Sequence, residues 1–169
     1  VFEQVVRAGL RRDSVVGASD EQIDLMASAQ GVAHVPEAVR EVFRLVGVRS
    51  GLWLAGTAFS VNSITGETKQ QVLASLGHLE HDLVDPGGML VLTAHQAYAY
   101  QVIDGADLGL DDPPVWSVVE GERVVRAWES TSDWFARTAP DIPDLLDVLE
   151  LMEDLGKQPP VWARDIEAR

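Results

Sequence analysis

Apolar residues recur at helical spacing through the first half of the chain and alternate with polar ones through much of the second. Val1 to Arg12 reads as a short helix with Phe2, Val5 and Val6 on a rough stripe. A breaker-rich connection over 13–19 leads into Ser19-Asp20-Glu21-Gln22, a capping box. The serine oxygen accepts from the third helical amide, and Gln22 reaches back to the cap. The helix predicted to follow runs to about Gln30 with Ile23, Met26 and Ala27 inward, and Gly31 stops it. Pro36 opens a second helix, since the first turn tolerates a missing N–H. Its buried stripe is Val39, Val42, Phe43 and Val46, its wet face Glu37, Arg40, Glu41 and Arg44, and Gly47 ends it. Leu52-Trp53-Leu54 is a buried connection or an edge strand. A third helix is predicted from Glu67 to Leu83, with Val72, Leu76, Leu79 and Leu83 buried.

Asp85-Pro86-Gly87-Gly88 is a strong turn, and the period then changes. Strands are predicted over Met89–Thr93, Ala97–Ile103, Val115–Val119 and Arg123–Trp128. A polar loop, Asp104 to Pro114, joins the second strand to the third, and Glu120-Gly121-Glu122 makes the last hairpin turn. Ser130 or Ser132 caps a short helix carrying Trp134 and Phe135. A final helix from Pro143 to Leu155 puts Leu145, Val148, Leu149, Met152 and Leu155 on one face and Asp144, Asp147, Glu150 and Asp154 on the other. Helices followed by a run of strands predict an α+β fold, helices packed on a mainly antiparallel sheet. The chain divides into an N-terminal helical segment (1–18), a central domain (19–138) and an acidic C-terminal helix and tail (139–169).

Charge narrows the partners. The net charge of −14 over 169 residues repels phosphates and so excludes non-specific nucleic-acid binding. It favours a basic protein partner. With no cysteine, disulfides, thiolate metal sites and cysteine nucleophiles drop out, as expected of a cytoplasmic protein. No apolar run approaches the ~20 residues of a membrane span.

Two blocks carry a resemblance. One is Ser19 to Gly47, a capped helix, Val35-Pro36, then a helix with Val42-Phe43 and a closing glycine. The other is Met89 to Phe135, paired strands, an acidic loop, Pro114-Val115-Trp116, a hairpin and Ser132 to Phe135. Together they resemble the SUKH superfamily, which includes cell-wall regulators of the Smi/Knr type. The resemblance implies helices packed on an antiparallel sheet and a non-enzymatic binding role. It also implies a bacterial immunity protein that neutralises a toxin, often a nuclease, by direct binding. The sequence departs from the family where its usual Leu-Pro is Val35-Pro36 and where His95-Gln96 replaces a glycine-rich turn.

Catalytic chemistry finds little purchase. There is no G-x-S-x-G elbow around Ser60, Ser63 or Ser75. Gly66-Glu67-Thr68-Lys69 has the wrong spacing for a phosphate loop. His78 and His81, three apart on the predicted third helix with Asp82 beside them, offer two or three metal ligands, but that face reads as solvated. No cofactor and no metal is expected. Charge placement says more: Lys69 to Arg123 contains no intervening base, nor does Arg137 to Lys157. The expected contact surface is therefore Asp104, Asp107, Asp111, Asp112, Glu120 and Glu122, gathered with Trp116 at one end of the sheet. The alternative is a structural or regulatory adaptor that dimerises through Leu149 and Met152 of the last helix.

Overall fold

The computed structural model describes residues 1–167. The helices are α1 (Phe2–Ala8), α2 (Asp20–Ala29), α3 (Glu37–Val46), α4 (Gly66–Leu76), α5 (Thr131–Arg137) and α6 (Ile142–Asp154). Between α4 and α5 run β1 (Leu90–His95), β2 (Ala99–Ile103), β3 (Val115–Val119) and β4 (Arg123–Trp128). The strands form one antiparallel sheet in sequence order. This is the α+β arrangement expected of the pattern.

The sheet lies between two apolar layers, because alternate residues of a strand face opposite ways. Leu90, Leu92, Ile103 and Val115 join a core with Ile23 and Met26 of α2, Val39 and Phe43 of α3 and Trp134 of α5. Val91, Tyr100, Val102 and Val118 join Val72 and Leu76 of α4 in a second core on the opposite face. The capping box at α2 forms as expected: Gln22 N donates to Ser19 Oγ at 3.3 Å, and Ser19 N to Gln22 Oε1 at 2.9 Å. Gly17 has a different duty. A Cβ there would stand 1.7 Å from the carbonyl oxygen of Arg44, so only glycine lets this connection lie against α3.

Some expectations are corrected. The third helix was predicted to reach Leu83 but stops at Leu76, where Gly77 follows and backbone entropy works against another turn. Of the two readings for Leu52 and Trp53, the buried connection holds and the edge strand does not: both residues are buried in a turn. The boundaries at 18 and 138 do not separate cores: Phe2, Val5, Leu10, Ile142 and Ile166 pack into the same cluster as α2 and α3.

The two edges of the sheet differ. The side-chain amide of buried Gln30 takes both backbone groups of Val91, accepting from its N–H at 2.8 Å and donating to its carbonyl at 3.2 Å. Ala58 bridges Ala94 further along β1. Lys69 completes the knot, its buried ammonium donating to the Gln30 carbonyl at 2.8 Å. Burial holds its pKa below the ordinary lysine value, opposed by the charge of Asp85. On the other side, β4 pairs with β3 alone among the described residues. Arg123 and Arg126 place charge on that open edge, a common guard against edge-to-edge association.

Candidate protein-binding surfaces

The meander fixes where the expected contact residues lie. Ala99 pairs with Val119 and Val102 with Trp116, so the loop after β2 and the hairpin after β3 sit at opposite ends of the sheet. Five residues of β3 separate them, roughly 13 Å at ~3.3 Å per step. Asp107, Asp111 and Asp112 therefore occupy one end, and Glu120 and Glu122 the other. The single acidic patch expected from the sequence does not form, because an antiparallel meander sends successive connections to alternate ends.

At the loop end each acid has its own task. Asp104 is 1% exposed. Its carboxylate accepts from the backbone N–H groups of Val84 at 2.6 Å, Asp85 at 2.8 Å and Ala106 at 3.3 Å. It is a structural tie between the turn before β1 and the turn after β2, not a contact residue. Asp85 strengthens that tie: its carbonyl accepts from Gly105 N at 3.1 Å and its carboxylate from Gly88 N at 2.9 Å. Asp112 accepts from Ser132 N at 2.9 Å, in the first turn of α5, while buried Thr131 donates to the Pro113 carbonyl at 3.0 Å. The Asp111 carbonyl accepts from Ala38 N at 2.9 Å in the first turn of α3. The loop is thus pinned to α3, α5 and the turn before β1. The carboxylates of Asp107 and Asp111 have no hydrogen-bond partner among the described residues.

Asp107 carries the electrostatic signature of this end. Partial burial raises its pKa above the usual aspartate value, the neighbouring charge of Asp104 adds to the rise, and the charge of Arg126 offsets part of it. A raised carboxyl pKa means that folding is favoured below the unfolded value and loses that contribution as pH climbs through the folded one. Asp107→Asn is therefore expected to raise the unfolding midpoint at neutral pH, with the gain vanishing below pH ~3.8, the ordinary carboxyl value. Thermal unfolding of both proteins across pH 3–7 (roughly the carboxylate range) checks it.

The hairpin end is exposed and differently built. Glu120 N donates to the Tyr98 carbonyl at 2.8 Å, drawing the two hairpin turns together. His95 meets Tyr98 edge-on at 5.8 Å and shares a hydrogen bond of 3.1 Å with Thr57 Oγ1. Trp116 is not the exposed anchor of the expected surface. It points to the α4 side of the sheet, partly buried against the second core, with its Nε1 enclosed and without a hydrogen-bond partner among the described residues. His78 and His81 lie beyond the end of α4, so the helical spacing that would have juxtaposed them does not exist. Among the described residues no group of three or more His, Cys, Asp or Glu is placed to hold a metal ion.

Acids elsewhere divide sharply between compensated and uncompensated. On α2 and α3, Arg40 pairs with Asp20 and Asp24, and Arg44 reaches Asp20 at 2.8 Å and Glu37 at 2.8 Å. A groove of about 640 Å³ beside Arg11, Arg49 and Arg164 is also satisfied internally. Arg11 pairs with Asp13 at 2.7 Å, Arg49 donates to the Asp13 carbonyl at 2.6 Å, and Arg164 lies 3.9 Å from Asp165.

Helix α6 has no such balance. Asp144, Asp147, Glu150, Glu153 and Asp154 are exposed, and none is ion-paired among the described residues. Several stand three or four apart, where like charges repel. Its last turn carries acids and no base, against the preference of a helix C-terminus for cations. Leu145, Leu146 and Leu149 pack against the first core, so the dimer face expected from Leu149 is already occupied. Val148, Leu151 and Leu155 remain 44%, 59% and 59% exposed. The predicted apolar face of Leu145, Val148, Leu149, Met152 and Leu155 is thus only partly covered. The apolar arc of the helix is wider than the body of the fold can cover.

Against known proteins, the chain matches no family model, no curated sequence and no solved structure. No helix among the described residues is long and apolar enough to cross a membrane.

Proposed function

We propose that this chain is a non-enzymatic, cytoplasmic protein-binding domain, an immunity protein of the SUKH type that neutralises a basic toxin by direct contact. The observation that carries the reading is the acidic loop after β2. Asp107 and Asp111 are held on a loop pinned at three places and make no ion pair among the described residues, whereas the acids of α2 and α3 are paired with Arg40 and Arg44. A rigid, unneutralised carboxylate pair speeds encounter with a cationic surface and loses little entropy on capture. Helices packed on an antiparallel sheet are also what the family resemblance implies.

The test is titration calorimetry with the protein encoded by the neighbouring reading frame, together with a growth assay in cells expressing that protein. Wild type is expected to bind it and restore growth. Asp107→Lys/Asp111→Lys/Asp112→Lys is expected to bind at least tenfold more weakly, with a shallower dependence on salt. A neighbour that is neither basic nor bound removes the immunity reading. The second reading, an adaptor dimeric through α6, has the exposed Leu151 and Leu155 in its favour. The charge on that helix opposes it, since two copies would bring two sets of unpaired carboxylates together.

A further inference from the structure

We propose that α6 is a docking helix for a cationic amphipathic helix of the protein partner. The proposal rests on the reading of a basic partner and adds a second contact, remote in sequence from the β2–β3 loop.

Val148, Leu151 and Leu155 follow the i, i+3, i+7 spacing of one helical stripe. All three are more than two-fifths exposed, on a helix whose other apolar side is already seated on the core. Half-buried Met152, beside this ridge, also lines a separate groove of about 800 Å³ between α6 and the segment 157–167, whose other α6 walls are Leu146, Leu149, Glu150 and Glu153. An incoming amphipathic helix, with its own anchors at i, i+3, i+4 and i+7, covers such a stripe by packing its apolar face along it.

Charge decides the occupant. Asp144, Asp147 and Asp154 border the ridge, and no base lies between Arg137 and Lys157. Asp147 and Asp154 weaken the helix that carries them, by repulsion from acids three or four residues away and, toward its C-terminal end, by opposing the helix dipole. A helix with lysines or arginines flanking its apolar stripe removes both penalties as it binds. A second copy of α6 would add to them.

The probe is a synthetic helix with leucine along one stripe and lysine elsewhere, titrated against the full chain. Controls are a scrambled peptide of the same composition and a version with glutamate in place of lysine. Wild type is expected to bind the first at least tenfold more tightly than either control. Leu151→Asn/Leu155→Asn alters exposed positions only, so the fold is retained, and is expected to lose at least tenfold in affinity. Asp147→Lys/Asp154→Lys is expected to weaken binding and flatten its salt dependence. Equal binding of the scrambled peptide, or unchanged affinity of the leucine variant, overturns the proposal. So does a dimer, seen by light scattering without peptide, that the leucine variant dissolves. The two readings fail separately. A chain that binds the helix on α6 but ignores its neighbour's product loses the immunity role alone. A chain that binds the neighbour's product but shows no α6-dependent helix binding loses the docking helix alone.

Discussion

Asp104→Ala is expected to lower stability by about 3 kcal/mol, the order expected when short charge-assisted hydrogen bonds from backbone amides are lost together. The side chain accepts from Val84 and Asp85 on one segment and Ala106 on another, so its removal strands donors on both sides. Nothing nearby can replace it: the Asp85 carboxylate is engaged at Gly88, and a Cβ at Gly105 would stand 2.3 Å from Asp85 Oδ2. The cost should fall on the whole fold, because the tie joins the turn before β1 to the turn after β2. Asp104→Asn keeps one carbonyl oxygen but aims an NH₂ at a backbone donor, and an intermediate loss is expected. Urea unfolding followed by circular dichroism measures both. A loss for the alanine variant under about 1 kcal/mol, the range of an ordinary surface hydrogen bond, would show that the two turns hold without it.

This same residue marks the limit of what the chain discloses before it folds. An aspartate in a Gly- and Asp-rich loop looks like its neighbours Asp107, Asp111 and Asp112, and all were grouped as surface charge. Their separation into buried tie, helix cap and free carboxylate depends on Val84, Asp85 and Ser132, which come near only through tertiary contacts. Local signals fared better. The capping box at Ser19, Gly47 after α3, and the strands Val115–Val119 and Arg123–Trp128 stand where residue type alone put them. These features are set by neighbours within four residues. The loop and hairpin acids do not share one end for a topological reason: the strands follow sequence order in the sheet, so successive connections alternate between its ends. His78 and His81 were misplaced because the apolar spacing of Leu79 and Leu83 continues the helical period past Gly77. Leu83 is buried all the same, reached by an irregular segment instead of another helical turn.

The net charge of −14 is not spread evenly. Arg40 and Arg44 neutralise the acids where α2 meets α3, so that interface holds together without relying on an outside partner. The β2–β3 loop and α6 are left unbalanced. Acids that merely confer solubility would serve as well beside a base. Acids set against a helix dipole, next to uncovered leucines, cost the free chain stability that a cationic partner would return.

The largest single loss is expected at Trp53→Ala, about 4 kcal/mol, in the range for a large aromatic removed from a close-packed core. Trp53 is fully buried within a turn where no regular element supports it. Its ring stacks on Phe135 at 4.5 Å between centroids and 6° between planes, and lies 5.9 Å from Phe2. Its Nε1 donates to the Phe135 carbonyl at 3.2 Å. One side chain thus joins α1, the turn after α3, and α5, segments far apart in sequence. Alanine would leave a cavity where three elements meet, and the fold cannot collapse into it without moving α1 or α5. Trp53→Phe tests the parts separately. It keeps a ring on Phe135 but loses the hydrogen bond and part of the volume, so roughly half the alanine loss is expected. Because other tryptophans report on unfolding as well, the comparison belongs to far-ultraviolet circular dichroism in urea. A loss for alanine near 1 kcal/mol, within the range of a one-methyl change, would mean that α1 and α5 are held to the sheet by other contacts.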